Sequence, residues 1–473
     1  MHVIIHIVKP GETLWQISAQ YGVPVSRTIS VNGLPNPDQL LVGQSIIIPV
    51  EGTSHIVKAG ETLWEIAKIY NVSVDAIIRS NEIANPNMIP TGLTLFIPAP
   101  TYRVQPSDTL IQIAQRFGVP FNSIIDANNI ADPDLIYPGM ILIIPTKNKP
   151  IISVNGYVYF LGEEAVPIIN RNGELLTYVS PFAYLIREDG SMQSIDDSPA
   201  IRAAYENNAA PMMSITNFTS TQLGENLAHV VLSNLEIQNA LITNIINIMK
   251  EKGYMGVNID FENVLPSDRE FYNQFLQRTV DRLHPLGYFV STALAPKTSG
   301  EQAGLLYEAH DYPAHGRIAD FVILMTYEWG YRFGPPRAIS PLSEIKRVLD
   351  YAVTVIPREK IYFGFQIYAR DWVLPHVQGQ EAETFSVQEA IRRGVQHNVE
   401  IQYDSVAQSP FYRYRDNNGV MHEVWFEDAR SAQAKFDTVK EYNLGGISYW
   451  ALGYPFPQNW TLLNDNFTIR KVL

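Results

Sequence analysis

The chain contains no cysteine, which excludes disulfides, thiolate metal sites and cysteine nucleophiles. No apolar run approaches the roughly 18–20 residues that a bilayer-crossing helix needs. Basic residues are in deficit: 35 Lys+Arg stand against 48 Asp+Glu, a formal charge of −13. Nucleic acids and anionic membrane surfaces select basic faces, so neither is expected as a partner. Residues 1–150 hold 9 Lys+Arg against 11 Asp+Glu and the remainder 26 against 37, so the acidic excess lies mostly in the larger part. The ten histidines form no HExxH pattern, and the nearest pair, His310 and His315, falls in a loop-like stretch to which no metal role is given. No metal and no cofactor is expected. At the N-terminus only residues 3–5 are continuously apolar and no basic segment precedes them, so no signal peptide is expected.

What the chain does have is length and apolar material. Its 473 residues suggest about two to four domains, and at 46% apolar there is enough to build real cores. Three segments repeat: HIVKPGETLWQISAQYGV from His6, HIVKAGETLWEIAKIYNV from His55 and YRVQPSDTLIQIAQRFGV from Tyr102. Each copy closes on an apolar strand and a proline, at Pro49, Pro98 and Pro145. In the second copy, residues 55–58 suit a short strand, and Thr62 can cap a helix over residues 63–70. Leu63, Ile66, Ala67 and Tyr70 form its apolar stripe. A second helix is expected near residues 74–81, a loop at Asn85-Pro86 and a strand over residues 93–97. The unit is βααβ, and the three copies span residues 5–49, 54–98 and 101–145.

The repeat resembles the LysM domain through GETLW, the Asn81 that ends the second helix and the closing IP. That resemblance implies binding of N-acetylglucosamine-containing glycans, in a groove between the first strand–helix loop and the second helix–strand loop. The positions it implies are Gly11 and Thr13 in the first copy and Gly60, Thr62, Asn85 and Ile89 in the second. The third departs, with Ser107 for the glycine and Ile111 where the others have Trp15 and Trp64, which counts against sugar binding there. The plainer alternative is that the copies are spacers or protein-docking units.

A polar linker, TKNKP, precedes residues 151–473, a length suited to one (β/α)8 TIM barrel with a small α+β insertion at about 373–430. Eight apolar runs can be laid out: residues 154–160, 178–186, 210–218, 256–262, 288–296, 321–329, 361–369 and 445–453. Helical patterns separate several of them, as at residues 239–250 and 268–283, and such alternation argues for a parallel sheet. The gap between the last two runs holds a hairpin pattern turning at Asn417-Asn418-Gly419.

The fourth run, GVNIDFE, carries the chemistry. Strand side chains alternate, so Asn258, Asp260 and Glu262 share one face and Val257, Ile259 and Phe261 the other. Carboxyls at i, i+2 repel one another, and burial raises the pKa of at least one. A carboxylic acid kept protonated near neutral pH is what glycosidic-bond cleavage requires. An edge strand with solvated acids is the alternative. Asn217, Tyr327, Glu328 and Trp450 end other strands, where barrel active sites are built.

These residues resemble the signature of glycoside hydrolase family 18 over essentially residues 151–473. The family's DGxDxDxE aligns with residues 255–262, where Asp260 and Glu262 are kept while Met255 and Asn258 replace two aspartates. Its MxYD appears as Met325-Thr326-Tyr327-Glu328, its SxGG as Ser214-Ile215-Thr216-Asn217, and its eighth-strand tryptophan as Trp450. The resemblance implies a substrate-assisted retaining hydrolase, in which the substrate's acetamido group is the nucleophile. Glu262 is then the acid/base, Asp260 orients the acetamido group and Tyr327 holds its carbonyl oxygen. Trp450 floors the sugar site, with Asn258, Glu328, Asn217 and Gln366 as further substrate-binding candidates.

LysM copies joined to this barrel and the NIDFEN segment resemble spore cortex-fragment-lytic glucosaminidases of endospore formers. That implies action on cortical peptidoglycan, synthesis in the mother cell and deposition on the spore. A chitinase acting on chitin-type glycan is the alternative enzyme, and a non-catalytic glycan-binding coat protein the alternative from another class. A peptidoglycan deacetylase is disfavoured by the lack of a visible His/Asp metal cluster. Oligomeric state and the choice between endo and exo cleavage are not encoded legibly.

Overall fold

In the computed structural model, each of the three N-terminal modules is built on one antiparallel strand pair. The first pairs His2–Ile7 with Ser45–Val50, the second Gly52–Ile56 with Thr94–Pro98, and the third Thr101–Arg103 with Ile141–Ile143. The structure describes residues 2–473 apart from residues 22, 35, 51, 71, 73, 82, 84, 87, 100, 107, 118, 120, 129, 145–148 and 219–223. The expected linker therefore lies largely outside the described residues.

Between the strands come two short helices, Leu14–Gln20 and Val25–Asn32 in the first module, Leu63–Ile69 and Val74–Asn81 in the second, Leu110–Phe117 and Phe121–Asn128 in the third. Their starts are set by sequence. Thr13 and Thr62 form capping boxes with Gln16 and Glu65, which satisfies amides that the first helical turn leaves unpaired. In the second module Leu63, Ile66, Ala67 and Ile77 bury against Leu95 and Ile97 of the closing strand.

The asparagine that ends each second helix is a clasp. Asn32 Nδ2 donates to Ile47 O (2.7 Å) and its Oδ1 accepts from Ile47 N (2.7 Å). Asn128 grips Ile143 in the same way, at 2.8 Å each, and Asn81 Oδ1 accepts from Phe96 N at 2.6 Å. One side chain thus serves as a ladder partner for the outer edge of a two-stranded sheet.

By packing the chain divides into two units, residues 1–40 with 45–149 and residues 41–44 with 150–473. The larger is a closed (β/α)8 barrel. Its strands are Ile151–Val158, Tyr178–Pro181, Ala210–Thr216, Gly256–Asp260, Phe289–Leu294, Phe321–Leu324, Ile361–Gln366 and Gly446–Leu452. Each pairs in parallel with its neighbours, and the eighth returns to the first, so no edge is left open. Tyr157, Tyr178, Met212, Ile323 and Tyr362 fill the interior. Outward residues meet the helical ring: Phe261 stacks on Tyr272 and Phe275 of the helix Arg269–Leu283.

Two of the expected runs are divided. Residues 361–369 look continuous in sequence, but the barrel strand stops at Gln366 and a second strand, Tyr368–Leu374, begins at once. That strand pairs with Glu383–Ser386 and Met421–Trp425, the latter with Ser409–Arg415, and that in turn with Gln402–Asp404. The inserted five-stranded antiparallel sheet therefore starts at Tyr368 rather than near 373. Residues 178–186 likewise split into Tyr178–Pro181 and a two-residue strand, Tyr184–Leu185. In both places the run of apolar and aromatic residues continues across the break, so composition hides it. Among the described residues no helix is long and apolar enough to cross a membrane.

Candidate active site

The fourth barrel strand delivers its polar row to the mouth of the barrel. Asn258 is fully buried and Asp260 is 5% exposed, while Glu262 lies just past the strand end and is partly exposed. Asn258 is committed on both sides of its amide. Its Oδ1 accepts from Tyr157 OH (2.7 Å) and its Nδ2 donates to Ser291 Oγ (2.9 Å), which fixes the amide across three strands. It therefore buttresses the layer beneath Asp260 and does not reach toward a ligand.

Asp260 keeps one carboxylate oxygen, Oδ1, buried and without a protein hydrogen bond. Burial, then the nearby Glu262 charge, push its pKa well above the usual carboxylate range. Burial, with Glu328 second, pushes Glu262 up to about 7. The two carboxyls titrate as a pair, so at neutral pH the pair retains a proton. Tyr327, after the sixth strand, is held protonated by burial and by the surrounding charges of Asp260, Glu262 and Glu328. Its hydroxyl therefore stays a hydrogen-bond donor near the acid pair.

Glu328 sits in left-handed backbone conformation, with φ of 70°. Its Oε1 accepts from Arg370 Nη2 (2.9 Å) and from the Tyr368 hydroxyl. Arg370, 5% exposed, also donates to Gly330 O, so the cation that holds Glu328 is itself held. Trp450 lies in register with Gln366 on the neighbouring strand and packs edge-on against Phe182 (4.8 Å) and Tyr157 (5.6 Å). Gln366 is buried, and its Nε2 donates to Glu427 Oε1 (3.1 Å), a carboxylate paired with the buried Lys435 at 2.6 Å. Asn217 is also turned to the protein. Its Oδ1 accepts from Glu262 N (2.9 Å), and its Nδ2 donates to Glu262 O (2.8 Å) and Gly224 O (3.1 Å). Asn258 and Asn217, expected to touch substrate, thus hold the strand that carries the acids.

Tyr157, Tyr368 and Arg370 were not singled out from sequence. Tyr157 shares the inward row of its strand with Asn155, and Tyr368 and Arg370 alternate in a strand that the sequence run concealed. Period-two alternation was the available signal. Among the described residues no group of three or more His, Asp or Glu could hold a metal.

In the modules, Trp15 and Trp64 are 68% and 64% exposed on the first helical turn. Gly11 and Gly60 adopt φ of 80° and 86° with open space around them, so it is the backbone conformation, not crowding, that asks for glycine. The Thr13 and Thr62 hydroxyls are occupied by their capping boxes, and Ile89 packs against the module core. Asn85 accepts from Met88 N through its carbonyl, shaping the loop. Ser107 lies outside the described residues.

A closed barrel with an acid pair, a tyrosine and a tryptophan at its mouth is matched by comparison with known proteins. The profile for glycosyl hydrolases family 18 matches residues 157–454. The chain belongs to that family. The LysM domain matches residues 6–49, 55–98 and 102–145. The chain is 44% identical to a cortical fragment-lytic enzyme of Bacillus subtilis over 99% of both chains. It is 46% identical to one from Bacillus anthracis over 63% of this chain and 69% of that one. The crystal structure of the Bacillus megaterium spore cortex-lytic enzyme SleL superimposes with a TM-score of 0.82 at 37% identity, covering 100% of both chains. The protein is a glycoside hydrolase with glycan-binding LysM modules.

Proposed function

We propose that the enzyme hydrolyses linkages of N-acetylglucosamine in spore-cortex peptidoglycan, acting on fragments that another lytic enzyme has already released. Glu262 protonates the leaving glycosidic oxygen and then activates water, a sequence that needs a group proton-loaded near neutral pH. The pKa of about 7 supplies it. Asp260 directs its unpartnered oxygen to the acetamido N–H and stabilises the oxazolinium that forms when the acetamido oxygen attacks the anomeric carbon. Tyr327 donates to that acetamido oxygen, and Trp450 floors the sugar site. Glu328, pinned through one oxygen, lines the same mouth.

The observation that carries the reading is the Asp260–Glu262 pair with raised pKa values in a chain alike, end to end, to a cortical fragment-lytic enzyme. Gly11, Gly60 and Asn85 shape the module loops, and the exposed Trp15 and Trp64 beside them are the surfaces offered to glycan. Association with the spore or cell wall follows from that glycan affinity; synthesis in the mother cell belongs to the same proposal.

The test is to incubate the protein with purified cortex fragments and, separately, with chitin oligosaccharides, and to compare product masses. Cleavage of the cortex fragments at N-acetylglucosamine, with slow turnover of chitin oligosaccharides, is expected. Preferential turnover of chitin would replace this reading with a chitinase.

A further inference from the structure

We infer that His310 is a positioning residue for the reaction, acting with Asn217 to clamp the peptide group that precedes Glu262. The inference rests on Glu262 being the acid of the hydrolase.

Pairing between the fourth and fifth barrel strands ends at Ile259 and Thr292, and pairing between the third and fourth at Thr216 and Asp260. Glu262 thus lies beyond both ladders, where backbone alone would leave it loosely placed. Side chains continue the ladders in both directions. On one side Asn217 accepts from Glu262 N (2.9 Å) and donates to Glu262 O (2.8 Å). On the other, His310 Nε2 meets Phe261 O at 2.9 Å. Phe261 C=O and Glu262 N–H belong to one peptide group, so that group is gripped at both ends.

The histidine's own setting fixes how it acts. Its Nδ1 accepts from Ala295 N at 2.7 Å, just past the end of the fifth strand. A backbone amide can only donate, so Nδ1 is unprotonated and the proton sits on Nε2, facing the Phe261 carbonyl. The ring is fully enclosed and neutral; burial lowers its pKa to about 4. Lys297 Nζ donates to the His310 carbonyl (3.1 Å) and secures the backbone that carries the ring. A ring with one donor and one acceptor therefore spans the gap between strands four and five as a ladder residue would. A ring that merely filled space would need neither hydrogen bond.

Two replacements separate the roles. His310→Phe fills the volume and removes both hydrogen bonds; His310→Gln keeps a donor and an acceptor. With cortex fragments as substrate, His310→Phe should lower kcat about 10- to 100-fold, as expected for a misplaced reacting group, with KM within about twofold. His310→Gln should recover most of that loss. If His310→Phe does not fold, Asn217→Asp, which keeps the acceptor but loses the donor to Glu262 O, should show the same kcat-only loss. A folded His310→Phe or Asn217→Asp with wild-type kcat would overturn the inference, as would equal impairment of His310→Phe and His310→Gln with KM and melting temperature changed in step. Glu262→Gln is run beside them: its retaining normal turnover would instead remove the acid assignment on which the inference stands.

Discussion

In the proposed reaction Glu262 meets two opposing demands, to be protonated for the first step and ionised for the second. A pKa of about 7 serves both near neutral pH, and its causes are burial and then the Glu328 charge. Activity should therefore fall as pH rises through about 7, because the acid is then lost. Glu328→Gln removes the second cause, so that alkaline limb should move to lower pH; a pH–rate profile with an unmoved limb would contradict this. Glu262→Gln should lower turnover by at least the ~10²–10⁴-fold typical of a general acid.

Glu262→Gln should affect stability in the opposite sense to activity. A carboxyl whose folded pKa is raised favours folding while protonated and loses that contribution as pH rises from 4.5 through about 7. Glu262→Gln should then be more stable than wild type at pH 8, by up to about 3 kcal/mol, and no different at pH 4. Equal melting temperatures at pH 8 would count against the raised pKa. Asn258 is instructive at this same scale. Asn258→Asp would place a third carboxyl beneath Asp260 and remove the donor to Ser291 Oγ. The acidic limb of the wild-type profile should be simple and should become more complex in that variant; an unchanged limb would contradict the account.

Elements were legible wherever a local pattern decides them. Thr62 marks a helix start in the sequence, and the structure forms a capping box there with Glu65. Alternation in residues 256–262 placed Asn258 and Asp260 inward and Phe261 toward the helices, because period two is a property of the strand itself. The break between Gln366 and Tyr368 was not legible: aromatic and apolar residues run through it, and only the partner strands of the insertion decide where the barrel ends. The roles of Asn217 and Asn32 were hidden for a related reason, since a side chain standing in for a ladder partner depends on contacts 45 and 15 residues away. The clasp makes a prediction of its own. Asn32→Ala leaves the amide and carbonyl of Ile47 unpaired by a side chain, at about 1–3 kcal/mol per unsatisfied buried group. Hydrogen exchange at the Ile47 amide should accelerate by roughly 10-fold or more, and exchange at the wild-type rate would show the clasp to be incidental.

For the whole molecule, repetition of a LysM module on one chain raises effective concentration at a polymeric glycan surface without altering the chemistry. Trp15→Ala with Trp64→Ala should weaken retention on insoluble peptidoglycan and leave kcat on short soluble fragments unchanged. A binding isotherm identical to wild type would assign the modules another partner. The fold and the reaction class were the most legible features, because eight strand patterns and an acid pair at i, i+2 are local signals. The proposed choice of glycan is not local, and rests on the end-to-end likeness to a cortical fragment-lytic enzyme.

Glu262 and Asp260 are proposed to direct a substrate-assisted cleavage at N-acetylglucosamine in cortex fragments. Proton NMR of the first products from purified cortex fragments tests it most directly. A new reducing-end N-acetylglucosamine is expected, released initially as the β-anomer, with no such signal from Glu262→Gln. An initially inverted anomer, or release of the same product by Glu262→Gln, would contradict it.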